Sequence, residues 1–244
     1  MSPQLCEKCG KERANVHITD LAEGAPVERH LCQECAGAVP AQKVVVRRCE
    51  LPGSDLVGQV RNAILDSAEA KRCFAERAAA DIAQAVQVVV ECLRKAGKVL
   101  LCGNGGSAAE AQHIAAELVG RFKLERPAFA AIALTTNTSI LTAIGNDYSF
   151  DDIFARQVGA LGAAGDVLFA YSTSGTSKNV VRAIQAAEIV GMKIVGFTGA
   201  GGGSMASLCD VCIKGPSDDT PTIQECHTAA GHTICRLVEQ MLCG

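Results

Sequence analysis

No run of apolar residues in this 244-residue chain approaches the roughly 18 that a bilayer-spanning helix requires. The opening segment, MSPQLCEKCGKERANVH, lacks the apolar core of a signal peptide. Polybasic runs are missing as well. With 23 Lys and Arg against 26 Asp and Glu, net charge −3, nothing electrostatic draws the chain to nucleic acid or a membrane surface. Neither a G-x-G-x-x-G nor a G-x-x-x-x-G-K-[ST] nucleotide fingerprint occurs. These absences make a cytoplasmic protein without nucleic-acid or membrane partners the expectation. The balance of 48% hydrophobic and 20% charged residues is ordinary for a globular chain. The length suits one large domain with an appendage, or two domains.

Cysteine, in contrast, is plentiful, with 13 residues in two groups. Many, such as Cys92, Cys102 and Cys235, lie inside apolar segments, where a reduced cysteine behaves as a small hydrophobe. Cys6, Cys9, Cys32 and Cys35 instead form two C-x-x-C pairs. In a reducing compartment that spacing reads as a structural zinc site, because each turn presents two thiolates to a tetrahedral ion. Between the pairs, Val16–Thr19 and Val27–Leu31 flank a Glu-Gly-Ala-Pro turn, as expected of a hairpin joining two knuckles. So small a unit depends on metal to fold. His17 and His30 are read as structural, since four cysteines already satisfy the ion. Residues 5–37 resemble the N-terminal zinc module of the bacterial arginine-kinase activator, which implies a structural or protein-partner role.

The expected organisation is a four-cysteine zinc module over 1–37, a linker over 38–53 and a main domain over 54–244. The linker holds Pro40, Pro52 and a Val-Val-Val-Arg-Arg run. From 54 to 96, apolar residues at helical spacing (Leu56, Val60, Ile64, Leu65) and the lack of proline predict two helices or one broken helix.

Beyond Lys98 the period changes. Short apolar runs at Val99–Cys102, Phe129–Leu134, Val167–Tyr171, Ile194–Phe197 and Val211–Ile213 alternate with helical segments. That pattern predicts an α/β fold with a mostly parallel sheet flanked by helices, its ligands at the carboxyl ends of the strands. Two Gly/Ser-rich loops follow strands there: Gly103-Asn104-Gly105-Gly106-Ser107 and Ser172-Thr173-Ser174-Gly175-Thr176-Ser177. Glycines admit close backbone approach, hydroxyls donate, and a following helix offers free N–H groups, which suits a phosphate without a nucleotide. Either loop alone reads equally well as plain turn chemistry.

His113 and Glu117 stand at i and i+4 on one helix face; Gln224 and His232 lie about two turns apart on another. Two imidazoles, a carboxylate and an amide oxygen suit a divalent metal such as zinc, and equally an inter-helix hydrogen-bonding set.

Residues 98–243 resemble the phosphoheptose (sedoheptulose 7-phosphate) isomerases, a sugar-isomerase (SIS), flavodoxin-like family. The stretches that carry the likeness are GNGGSAAEAQHIAAELVGRF, AIALTTNTSILTAIGNDYSFDDIFARQV, YSTSGTSKNVV and IQECHTAAGHTICRLVE. The resemblance implies interconversion of D-sedoheptulose 7-phosphate and D-glycero-D-manno-heptose 7-phosphate through an enediol, the first step of nucleotide-heptose precursor synthesis. It implies a homotetramer, with Glu117 as base and His232 as acid. Asn104, Gly105, Gly106, Asn146, Asp147 and Gln224 would bind the sugar alongside Glu117. Ser172, Thr173, Ser174 and Ser177 would hold the phosphate. His113, Glu117, Gln224 and His232 would be zinc ligands. Asn137 and Thr222 depart from the family pattern, where Asp and Arg are expected. The alternative is a non-catalytic SIS-fold regulator that binds a phosphosugar or a replication initiator; the presence of all four candidate ligands favours the enzyme.

Overall fold

The computed structural model describes residues 5–11, 16–22, 25–32, 34–35 and 55–244. The linker expected at 38–53 lies outside them. The chain divides into two compact units, Met1–Ser54 and Asp55–Gly244.

In the first unit, β1 (Val16–Ala22) pairs antiparallel with β2 (Ala25–Leu31), so that His17 faces His30 in register. The Ala25-Pro26 assigned above to the turn belongs instead to β2. A two-strand ribbon can carry proline because every strand in it has a free edge. The Gly10 N–H donates to the Cys6 carbonyl at 2.8 Å, with Gly10 at φ +66°, which folds the first C-x-x-C into a tight knuckle. Cys6, Leu31 and Cys32 are buried together, with Cys35 packed against them.

The second unit opens on α1 (Leu56–Arg94), a single 39-residue helix where two helices or a broken one were expected. Its glycine, Gly58, lies in the first turn and no proline interrupts it. Its C-terminal half buries Phe74, Ala78, Ile82, Ala85, Val86 and Val89, whereas Leu56, Val57, Val60, Ile64 and Leu65 are exposed. The remaining elements alternate: β3 (Val99–Cys102), α2 (Gly106–Val119), β4 (Ala131–Ala133), α3 (Thr138–Asp147), α4 (Ala155–Leu161), β5 (Val167–Tyr171), α5 (Lys178–Val190), β6 (Lys193–Thr198), β7 (Val211–Lys214) and α6 (Thr220–Cys243).

These five strands lie in the order β4-β3-β5-β6-β7, every neighbouring pair parallel. Alternate residues feed opposite layers. Val99, Leu101, Phe169 and Tyr171 join the core shared with α1, α2 and α6; Leu100, Cys102, Leu168 and Ala170 join the one shared with α4 and α5. The strand order is the flavodoxin-like one, and it reverses at β3 and β5. A crevice therefore opens where the loops after β3 and β5 diverge, and both Gly/Ser-rich loops occupy it. Among the described residues no helix is long and apolar enough to cross a membrane.

Candidate active site and cysteine cluster

The first loop turns into α2 through Gly105, at φ +54°. Two of its glycines make close approaches, Gly103 to backbone and Gly106 to a side chain. A Cβ on Gly103 would lie 2.7 Å from the Ser107 carbonyl oxygen, and one on Gly106 would lie 2.5 Å from the Gln224 side chain. Asn104 exchanges two amide hydrogen bonds with buried Asn179 of α5, at 2.9 and 2.8 Å, which ties the first loop to the helix that follows the second.

The second loop is a hydroxyl network. Ser172 Oγ donates to Ser177 Oγ at 2.9 Å, while Ser174 Oγ accepts from the Thr176 N–H at 3.2 Å and the Thr176 hydroxyl at 3.0 Å. Gly175 takes φ +65° against the backbone of Gly202 and Gly203. Ser177 caps α5 by backbone position without a side-chain bond; of the first-turn N–H groups Val180 donates to Asn179 Oδ1 at 2.9 Å, which leaves those of Lys178 and Asn179 to an anion. A cavity of about 300 Å³ joins the loops, lined by Asn104, Gly105, Gly106, Ser107, Tyr171, Ser172, Thr173, Ser177, Thr220 and Gln224.

A second cavity, of about 490 Å³, lies between α2 and α6, lined among others by Gly106, Glu110, His113, Gln224, Glu225 and Thr228. Gln224 borders both. His113 Nε2 is 2.7 Å from His232 Nε2 and 3.7 Å from Glu117 Oε1. Ligand atoms of these three residues, from helices distant in sequence, all lie within 4.8 Å of one another. The donor set of two imidazoles and a carboxylate fits a borderline divalent ion. Gly231 lets the helices approach, since a Cβ there would lie 2.5 Å from Ile114 Cδ1.

Asn146 and Asp147 are not brought to this centre. They end α3, exposed, with Asn146 Nδ2 donating to Asp147 Oδ1 at 2.8 Å, and line neither cavity. The two departures are locally satisfied. Asn137 caps α3 by accepting from the Ile140 N–H at 3.0 Å, and Thr222 donates its N–H and hydroxyl to Asp219, the cap of α6.

Two further polar residues belong to the site. Asn179 left no signal in the sequence. Glu110 did, because it shares a helix face with His113 and Glu117 at steps of three and four. Its Oε2 accepts from Thr228 Oγ1 at 2.6 Å, its Oε1 is buried without a partner, and burial pushes its carboxyl above the usual range.

In the first unit the four thiols of Cys6, Cys9, Cys32 and Cys35 also lie within 4.8 Å of one another, with Cys9 and Cys32 sulfurs 3.9 Å apart. The hydrogen bond to Cys32 and burial push the Cys35 thiol up to about 12. Burial pushes Cys6 the same way but is outweighed by N–H groups of Cys32, Cys9 and Lys8, which bring it to about 6. A cation replacing the shared protons relieves such crowding.

A family profile described as SIS domain matches residues 65–199. The phosphoheptose isomerase of Rhodospirillum rubrum is 60% identical over 162 residues, which cover 66% of this chain and 86% of that one. That of Aquifex aeolicus is 50% identical over 188 residues, 77% of this chain and 98% of its own. Among solved structures, phosphoheptose isomerase GmhA of Neisseria gonorrhoeae superposes with a TM-score of 0.72 at 43% identity, covering 76% of this chain and all of that one. A phosphoheptose isomerase of Francisella tularensis gives 0.73 at 38% identity, covering 77% and 100%. The unit built on this sheet places the chain in the phosphoheptose isomerase family of SIS-domain proteins.

Proposed function

We propose that this protein interconverts sedoheptulose 7-phosphate and glycero-manno-heptose 7-phosphate. The observation that carries the reading is the convergence of His113, Glu117 and His232 from two helices, with His113 lining a cavity that shares Gly106 and Gln224 with the hydroxyl-lined one at the switch point of the sheet. Ser172, Thr173, Ser174, Ser177 and the first turn of α5 hold the phosphate. Asn104, Gly105, Gly106 and Gln224 border the sugar. The Glu117 carboxylate removes the C1 proton of the ketose, and His232 protonates the C2 oxygen. Return of the carbon-bound proton to C2, with loss of the C1 hydroxyl proton, gives the aldose. His113, Glu117, Gln224 and His232 would hold zinc, which supplies Lewis-acid polarisation of the substrate oxygens.

The exposed stripe Leu56, Val57, Val60, Ile64 and Leu65, each more than half exposed, is a packing surface for other copies of the chain. A homotetramer would cover it and let Asn146 and Asp147 of one subunit serve another's site. The four-cysteine cluster would hold a second, structural zinc, in keeping with a reducing cytoplasm, and offers a surface for a protein partner.

The test is turnover of purified full-length protein on sedoheptulose 7-phosphate, with and without chelator, together with solvent-proton exchange at carbon. Loss of both reactions in folded, metal-loaded protein at saturating substrate would reject the isomerase and leave a phosphosugar-binding regulator.

A further inference from the structure

A third C-x-x-C sequence, Cys209-Asp210-Val211-Cys212, plays no part in either cluster described above. It sits where the chain enters β7, the edge strand of the sheet. Cys212 pairs in register with Gly196 of β6, and Gly196 lacks the side chain that would occupy the space beside it. The Cys209 sulfur fills that space: a Cβ on Gly196 would lie 2.5 Å from it. Both cysteines thus lie over the same glycine, both partly accessible and both free. Cys212 Sγ also lies 3.7 Å from the hydroxyl of buried Thr198.

We infer that Cys209 and Cys212 form a reversible dithiol–disulfide site whose oxidant is a low-molecular-weight disulfide. The two thiols divide the work. The neighbouring Cys209 thiol brings Cys212 down to about 6 against its burial, helped by the Thr198 hydroxyl and the charge of Lys214, with Asp81 opposing. The Cys212 thiol in turn, with burial, holds Cys209 well above the usual thiol range. One member is the nucleophile at neutral pH and the other keeps its proton until called upon. Elsewhere in the sheet domain burial pushes Cys102 and Cys235 up to about 12, which leaves them inert.

The exchange runs in two steps. The Cys212 thiolate attacks one sulfur of the small disulfide, whose S–S bond breaks, and the expelled thiolate takes a proton from water. Cys209 then loses its proton to solvent and attacks the Cys212 sulfur, expelling the second small thiol. The two cysteine sulfurs are oxidised, and the two reagent sulfurs are reduced.

The tryptic peptide 194–214 contains these two cysteines and no others, which makes the test direct. Full-length reduced protein is treated with oxidised glutathione, blocked with N-ethylmaleimide, digested and weighed. The expected peptide is two hydrogens lighter, carries neither maleimide nor glutathione, and regains two maleimide sites after reduction. Cys209→Ser should stop with glutathione on Cys212, and Cys212→Ser should acquire none. A wild-type peptide that keeps both maleimide sites, or that retains glutathione without closing, overturns the inference. The wild-type result decides the matter even if a variant fails to fold.

Discussion

Arg126 and Glu239 pair at 2.9 Å with both side chains only 1% exposed, and the same guanidinium donates to the Glu117 backbone oxygen at 3.0 Å. Glu239 also accepts the N–H groups of Phe122, Lys123 and Leu124. Burial alone would push its carboxyl up, but these donors hold it below the usual range. Phe122 in turn packs on the His232 ring, 5.2 Å between centroids. A buried ion pair therefore braces both proposed proton-transfer residues. Glu239→Gln should cost about 3–5 kcal/mol by urea unfolding, because Arg126 loses its counter-charge. Turnover should fall too. A change under about 1 kcal/mol would show the pair to be replaceable.

Glu117→Gln keeps size and hydrogen bonding but removes the proposed base. Turnover should drop on the order of a hundredfold or more. Metal content has to be measured on the same sample, since losing a ligand mimics losing a base. Near-normal turnover with metal retained would remove Glu117 from the mechanism.

In the proposed phosphate loop the two kinds of residue should behave differently. Ser174→Ala deletes one neutral hydroxyl, about 0.5–1.5 kcal/mol, so KM should rise several-fold with kcat little changed. Gly175→Ala places a Cβ against the Gly202 carbonyl at a positive φ, and should damage both folding and phosphate affinity. Equal, mild effects from the two would argue against the loop geometry.

His227 gives stability a pH dependence of known sign. Burial depresses it to about 4 from 6.5, while its Nε2 donates to the Thr198 carbonyl at 3.1 Å. Only the unfolded chain takes up a proton between those values. Its contribution is complete above about pH 6.5 and is lost as pH falls toward 4. By pH 5 the loss should be about 2 kcal/mol. His227→Gln should remove that component from the difference between unfolding free energies at pH 7 and pH 5.

Metal analysis separates the two clusters. Loaded protein should carry two ions per chain, and replacing Cys6 and Cys32 with Ser should remove one while turnover persists. Unchanged metal content would reject the assignment of an ion to the four thiols.

The sheet was legible because its central strands β3, β5 and β6 are short apolar runs buried on both faces, and the two loops because glycine and serine cluster where strands end. The length of α1 was not, because the period of its exposed first half and that of its buried second half fit a break as well as continuity. Glu110 could have been read from its helix face beside His113. Asn179 could not: its partner Asn104 is 75 residues away, and only the β3–β5 crossing brings them together. Asn146 and Asp147 match the family stretch in sequence yet line neither cavity, since a sequence match carries no information on distance.

His113 and His232 stand 119 residues apart in sequence but 2.7 Å apart in space. No unfolded chain holds them at that separation, so an ion seated there would recognise the native fold and little else. Its binding would add to the stability of the native state by mass action, growing with the logarithm of the free ion concentration. The melting temperature of this protein would then depend on its medium as well as its sequence, and a chelator would lower it before touching a single covalent bond.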